Sequence, residues 1–336
     1  MTMLSRLKTM WAGDKPEPTP VRVQRPPVEM RWIADVSWPI PDWQAMAQAQ
    51  QSDWTERTLD DYWTGGAYRW LEQMGRQWEP HLPVYESEHF LLLSGGSRRE
   101  CEVTLAFCER SRRRILQFLP GIASRQGHGK HVLITFGDQD DYYDYVSNYY
   151  PSGEFAMSSG MFIDAGYGHF LTQEGLRYEE IEPVIAHELA HCLVRHLPLP
   201  AWLNEGIAVN TEHHFFPALA HPHAQQYFPH EMTAKHAAFW NRDTIQEFWS
   251  GKSFVRPDDG CMLSYDLAAK ITKLAAGDFN AFRRFVLRAE GANAGAAAEG
   301  ELGFPLRNLI EAVLGEGPWD PNPETWQEGI ERGQFA

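Results

Sequence analysis

Between positions 184 and 196 the chain reads Val184-Ile-Ala-His187-Glu188-Leu-Ala-His191-Cys192-Leu-Val-Arg-His196, and this stretch constrains the molecule more than any other. Its apolar periodicity predicts a helix over Tyr178 to His196 that stops before Pro198. Histidines four apart leave a helix from one face, so His187 and His191 can both reach one metal ion at about 2.0–2.1 Å. Glu188 falls one residue along, beside the metal and not on it, where its carboxylate can take a proton from water. A turn through Pro198 and Pro200 leads to a second predicted helix, Pro200 to His213, with Glu205 near its start. Folded back on the first helix, Glu205 is the candidate third ligand. Two histidines, a glutamate and a water define a catalytic kind of site, whereas a structural site would need four protein ligands.

Together, His187-Glu188-x-x-His191 and Trp202-Leu203-Asn204-Glu205-Gly206-x-Ala208 resemble the gluzincin metallopeptidases, particularly the peptidase MA-like families, and the second element is similar to the LNEGxA string of zinc aminopeptidases. The resemblance spans Glu88 to Ala289. Thirteen residues separate His191 from Glu205, fewer than in the large aminopeptidases and similar to the compact MA-like group. It implies a zincin-like fold, one Zn2+ per chain on His187, His191 and Glu205, Glu188 as general base, and a peptide or protein substrate. It also implies an oxyanion donor from a downstream helix. Tyr265, near the start of a helix predicted over Gly260 to Ala276, is the candidate, the alternative being a packed tyrosine with a wet hydroxyl. A strand predicted over Ser158 to Ala165 precedes the metal helix, as the family's substrate-binding edge does, with Gly160 and Met161 as candidate substrate contacts. The acidic edge motif that captures a free amino terminus is missing, which turns the expectation away from N-terminal trimming.

The remaining sequence bounds the function class. Thirty Lys and Arg against 45 Asp and Glu give a formal net charge of −15, which argues against nucleic-acid partners and anionic membranes. Four scattered cysteines without a CxxC pair suggest reduced thiols, and Cys192 is expected to pack away from the metal. The N-terminus lacks the apolar core of a secretory signal, so a cytoplasmic protein is expected. Histidines 213, 214, 221, 223, 230 and 236 do not have ligand spacing; His230 and His236, six apart, fall on different helix faces. Besides a metallopeptidase, the residues allow a zinc-binding scaffold that holds a partner, or a zinc hydrolase of a small molecule.

The expected class is α+β, a small mixed sheet with helices followed by a mainly helical lobe. Five stretches are expected: an extended Pro-rich tail over 1–30, a Trp-rich helical module over 31–83, an α+β sheet subdomain over 84–177, a helical metal-binding subdomain over 178–290, and a linker, helix and acidic tail over 291–336. The module should hold helices at Pro41 to Gln51 and Thr58 to Arg76, the latter broken or bent at Gly65-Gly66. Its seven tryptophans read as a core, with a protein-partner face as the alternative. The sheet subdomain should hold strands at Glu88 to Ser94 and His131 to Phe136 as well as Ser158 to Ala165. Its helices are expected at Arg98 to Leu119, with Arg112-Arg113-Arg114 on the wet side, and at Asp138 to Tyr149. Further helices are expected at Thr233 to Phe239, Asp243 to Ser250, Phe279 to Ala289 and Phe304 to Leu314.

Overall fold

Strands that are apolar on both sides must be covered on both faces, and the sheet of this protein is built that way. The structure, a computed structural model, describes residues 28–34, 36–125, 127–150, 160–173, 178–219 and 226–326. Its strands are β1 (Val84–Glu86), β2 (Phe90–Leu93), β3 (His131–Phe136), β4 (Gly160–Ile163) and β5 (His169–Gln173). They lie in the order β1-β2-β3-β5-β4, with β2, β3 and β5 parallel and the outer strands β1 and β4 antiparallel to their neighbours. The class is therefore α+β with a mixed sheet.

Alternation along the strands sends side chains into two separate cores. Phe90, Leu92, Leu133 and Phe170 join the first, with helices α3 (Arg98–Phe118), α5 (Tyr178–Val194), α6 (Ala201–Phe215) and α9 (Asp259–Ala275). Leu91, Leu93, Val132, Ile134 and Leu171 join the second, under α1 (Trp43–Gln48), α2 (Glu56–Gly75) and α4 (Gln139–Ser147). The tryptophan-rich segment thus roofs one face of the sheet: Trp38, Trp43 and Trp70 are buried in that second core. Trp38 and Trp78 also donate their indole N–H groups to Asp144 and Asp141 of α4, at 2.8 and 2.9 Å. The remaining helices are α7 (Pro229–Phe239), α8 (Thr244–Ser250), α10 (Phe279–Val286) and α11 (Arg307–Leu314). Among the described residues no helix is long and apolar enough to cross a membrane.

Several expectations change. Helix α2 runs unbroken through Gly65-Gly66, both buried; Met46 of α1 packs so closely on Gly66 that a Cβ there would stand 2.4 Å from its Cε, and this packing offsets the roughly 1 kcal/mol a glycine costs in a helix. Strands β1 and β5 were not expected; both are short, and neighbours in the sheet, not their own pattern, fix them. The strand expected at Ser158 to Ala165 is observed at Gly160–Ile163, positions 158 and 159 lying outside the described residues. Arg112 is not on the wet side of α3 but buried at 8% exposure, because α3 is clamped between the sheet and α5. The Gly291 to Gly300 connector contains two short 3-10 turns. Positions 1–27 of the expected tail, His221, His223 and positions 327–336 lie outside the described residues.

Candidate metal centre

Helix α5 is apolar nearly all round, with Ile185, Ala186, Leu189, Ala190, Leu193 and Val194 at 1% exposure or less, so it must be buried, and α6 packs along it. The start of α6 is anchored by buried Trp202, whose indole N–H donates to Ala294 O at 3.0 Å. That pairing brings Glu205 to the two histidines of α5. Its Oε2 lies 3.3 Å from His187 Nε2 and 3.4 Å from His191 Nε2.

These distances test the site as a metal centre. Two ligand atoms on a tetrahedral ion with bonds of about 2.0–2.1 Å stand roughly 3.4 Å apart, which is the separation found. Glu205 Oε2 is buried and makes no hydrogen bond among the described residues, an orphan that a cation would satisfy. The opposite ring nitrogens are engaged: His187 Nδ1–H donates to Glu212 Oε2 at 3.2 Å and His191 Nδ1–H to Asn204 Oδ1 at 3.0 Å. Both rings are thereby held with the proton on Nδ1 and the Nε2 lone pair directed at the shared position. The three residues can hold one metal ion.

The electrostatics follow from crowding. Burial alone would push the Glu205 carboxyl up, but His191 and His187 outweigh it and hold it well below the usual carboxylate range. Burial pulls both histidines down, yet the carboxylates of Glu205, and for His187 also Glu212, turn the net direction upward. Glu188 is 7% exposed, and burial raises its carboxyl despite the two imidazoles and the Phe162 backbone of β4, which act the other way.

Gly160 lies against the metal helix. A Cβ there would stand 2.3 Å from Val184 Cγ1 and 3.3 Å from Glu188 Cγ, so the glycine permits β4 to approach α5. Met161 packs on the other face of the sheet, in the tryptophan-side core, while Phe162 faces α5 with Gly160. Tyr265, on α9, has its ring 6.5 Å from that of His187 and packs edge-on to Phe254 at 5.2 Å. The Glu205 charge, then burial, push its phenol well above the ordinary tyrosine value, so it remains an O–H donor.

Two partners escaped the sequence reading, Asn204 and Glu212. Glu212 stands seven residues after Glu205, two turns along the same helix face, which is the signal that could have found it. Of the other histidines, His236 is buried, donates from Nε2 to Asp266 at 2.6 Å and accepts the Trp240 indole N–H at Nδ1; it is a structural hub. A second group, Glu88, His89 and Glu109, also comes within ligating distance, but Glu109 is already occupied by Ser87, the His89 N–H and the His89 ring, at 2.7 to 2.9 Å. No protein-family model matches the chain, and no curated protein matches it either.

Proposed function

We propose that this protein is a zinc-dependent metallopeptidase of the gluzincin type, with His187, His191 and Glu205 holding one zinc ion per chain and Glu188 as general base. The observation that carries this reading is the convergence of three ligand atoms beside a buried carboxylate that is not one of them. A bound zinc ion supplies Lewis acidity and makes water acidic near neutral pH. Glu188, buried beneath Gly160 of β4, takes the proton of the water that attacks the scissile carbonyl and gives it to the leaving nitrogen. Tyr265 donates its hydroxyl to the developing oxyanion. The margin of the sheet at β4 runs beside α5 and suits an extended peptide, whose backbone it can pair. A cytoplasmic site of action belongs to the same reading, in keeping with four unpaired cysteines.

The test is elemental analysis together with turnover of a peptide mixture. Near one zinc per chain in wild type, lost in His191→Ala and Glu205→Ala, is expected. Glu188→Gln should keep its zinc and lose about 10²–10⁴-fold in turnover. Undiminished hydrolysis by that variant removes Glu188 from the mechanism. Zinc without hydrolysis in the wild type leaves a metal-holding scaffold.

A further inference from the structure

A cavity of about 760 Å³ lies on the tryptophan-rich side of the molecule, across the sheet from the metal centre, and takes no part in the proposed chemistry. Three pieces of chain wall it: residues 28–32, α1 and α2. The first is fixed by pairing, since the Ile33 N–H donates to Ile40 O and the Asp42 N–H to Arg31 O, both at 2.9 Å. The Tyr62 hydroxyl donates to Met46 O at 3.2 Å and ties α2 to α1. Buried Val28 and Met46 make part of the lining apolar.

Along α2 and just past its end, Arg69, Gln73 and Arg76 follow Tyr62 by seven, eleven and fourteen positions, so all four stand on one face and line the cavity. Arg31 joins them from the paired segment. These three arginines are exposed, and none forms an ion pair with a described residue. Arg76 donates from Nη1 to Gln73 Oε1 at 3.1 Å; the Arg31 and Arg69 guanidiniums have no polar partner among the described residues. Two carboxylates of the same lining, Glu29 and Glu72, are not paired with them. The cations of another cavity, of about 470 Å³, are built differently: Arg125, Lys130 and Arg195 each meet a carboxylate at 2.7 to 3.1 Å.

Trp32 is the second observation. Its side chain lines the cavity, is 41% exposed and has no ring contact among the described residues. Trp38, Trp43, Trp54, Trp63, Trp70 and Trp78 of the same module each pack against another aromatic ring. A bare indole offers its face to a planar ring, and a guanidinium offers its fork to a carboxylate or a phosphate. A volume of this size suits a small organic molecule.

We infer that this cavity binds a small molecule that joins a planar aromatic ring to a phosphate or a carboxylate, the ring on Trp32 and the anion on the arginines of the lining. Arg69, within the stripe and without a partner among the described residues, is the main anchor of the anion. The site shares no residue with the metal centre and does not depend on what that centre does.

The experiment is calorimetric titration of the full chain with 1-naphthyl phosphate and with 2-naphthoate, repeated after a chelator has stripped any metal. Inorganic phosphate and 2-naphthol are the controls that carry the anion alone and the ring alone. At least one aromatic anion should bind roughly tenfold more tightly than either control, with or without metal. Trp32→Ala and Arg69→Gln, both at exposed positions, should each weaken it about fivefold or more. Arg113→Gln, exposed on α3, should bind as wild type does. Tighter binding of the naphthyl phosphate identifies a phosphorylated ligand and tighter binding of the naphthoate a carboxylated one; both support the site. It is overturned if neither aromatic anion binds, if either control binds as tightly, or if Trp32→Ala or Arg69→Gln keeps wild-type affinity. Binding that is lost on chelation puts the anion on the metal, and equal weakening in Arg113→Gln reduces it to the overall charge; either result also overturns the site.

Discussion

The Glu212 carboxylate stands 3.2 Å from Nδ1 of His187, while Nε2 of the same ring faces Glu205 at 3.3 Å. One imidazole thus bridges two carboxylates of one helix, and the outer one decides which nitrogen carries the proton. Glu212→Ala is expected to weaken metal binding about 10–100-fold, with Glu212→Gln in between because its amide oxygen can still accept. Competition against a chelating dye measures both; wild-type affinity in Glu212→Ala would remove Glu212 from the centre.

Tyr265 reaches the site from a different helix than the ligands, so its role separates cleanly from metal binding. Tyr265→Phe should retain the metal and lose roughly 10²–10³-fold in kcat, with KM little changed. Equal turnover in the two proteins returns Tyr265 to a packing role against Phe254.

Helices α6 and α9 meet through main chain. A Cβ on Gly206 would stand 2.1 Å from Thr272 Oγ1 and 2.7 Å from the Ala268 carbonyl oxygen, and Asn210 Nδ2 donates to Ala269 O at 2.9 Å in the same seam. The hydroxyl could turn aside, but the carbonyl cannot. Gly206→Ala should therefore destabilise by about 1–3 kcal/mol, read as a lower denaturant midpoint with an unchanged slope.

His169 reports on pH. It is 1% exposed and bonded to the Tyr145 hydroxyl and Tyr167 O, and burial lowers it to about 4. Unfolded, it titrates near 6.5. Between those values the unfolded chain binds the extra proton, so stability present above pH ~6.5 is lost as the pH falls toward 4, by roughly 3 kcal/mol from this residue. Denaturation curves across that window should flatten in His169→Gln. A residual slope of the same sign is expected from His131, which burial lowers to about 3.

What the sequence disclosed was whatever lies within a few turns of one helix. His187, Glu188 and His191 need only the 3.6-residue period, and the prolines between α5 and α6 announce the reversal that delivers Glu205. What it concealed depends on partners distant in the chain. Arg112 reads as solvated in an Arg-Arg-Arg run until α3 is seen between the sheet and α5. The tryptophans suggest a core of their own until the apolar second face of β2, β3 and β5 is seen to need a cover. Strand β5 is five residues long, and only its place between β3 and β4 defines it.

Glu188 belongs to two parts of the molecule at once: its main chain lies in α5, and its side chain packs under β4, where a Cβ on Gly160 would stand 3.3 Å from its Cγ. Strand β4 is four residues long, sits at the sheet margin and is paired with β5 alone among the described strands. A local opening of that margin would uncover the Glu188 side chain and leave His187, His191 and Glu205 in place. In the proposed chemistry, holding a metal ion and using it would then be separable, and β4 is the element on which the second depends.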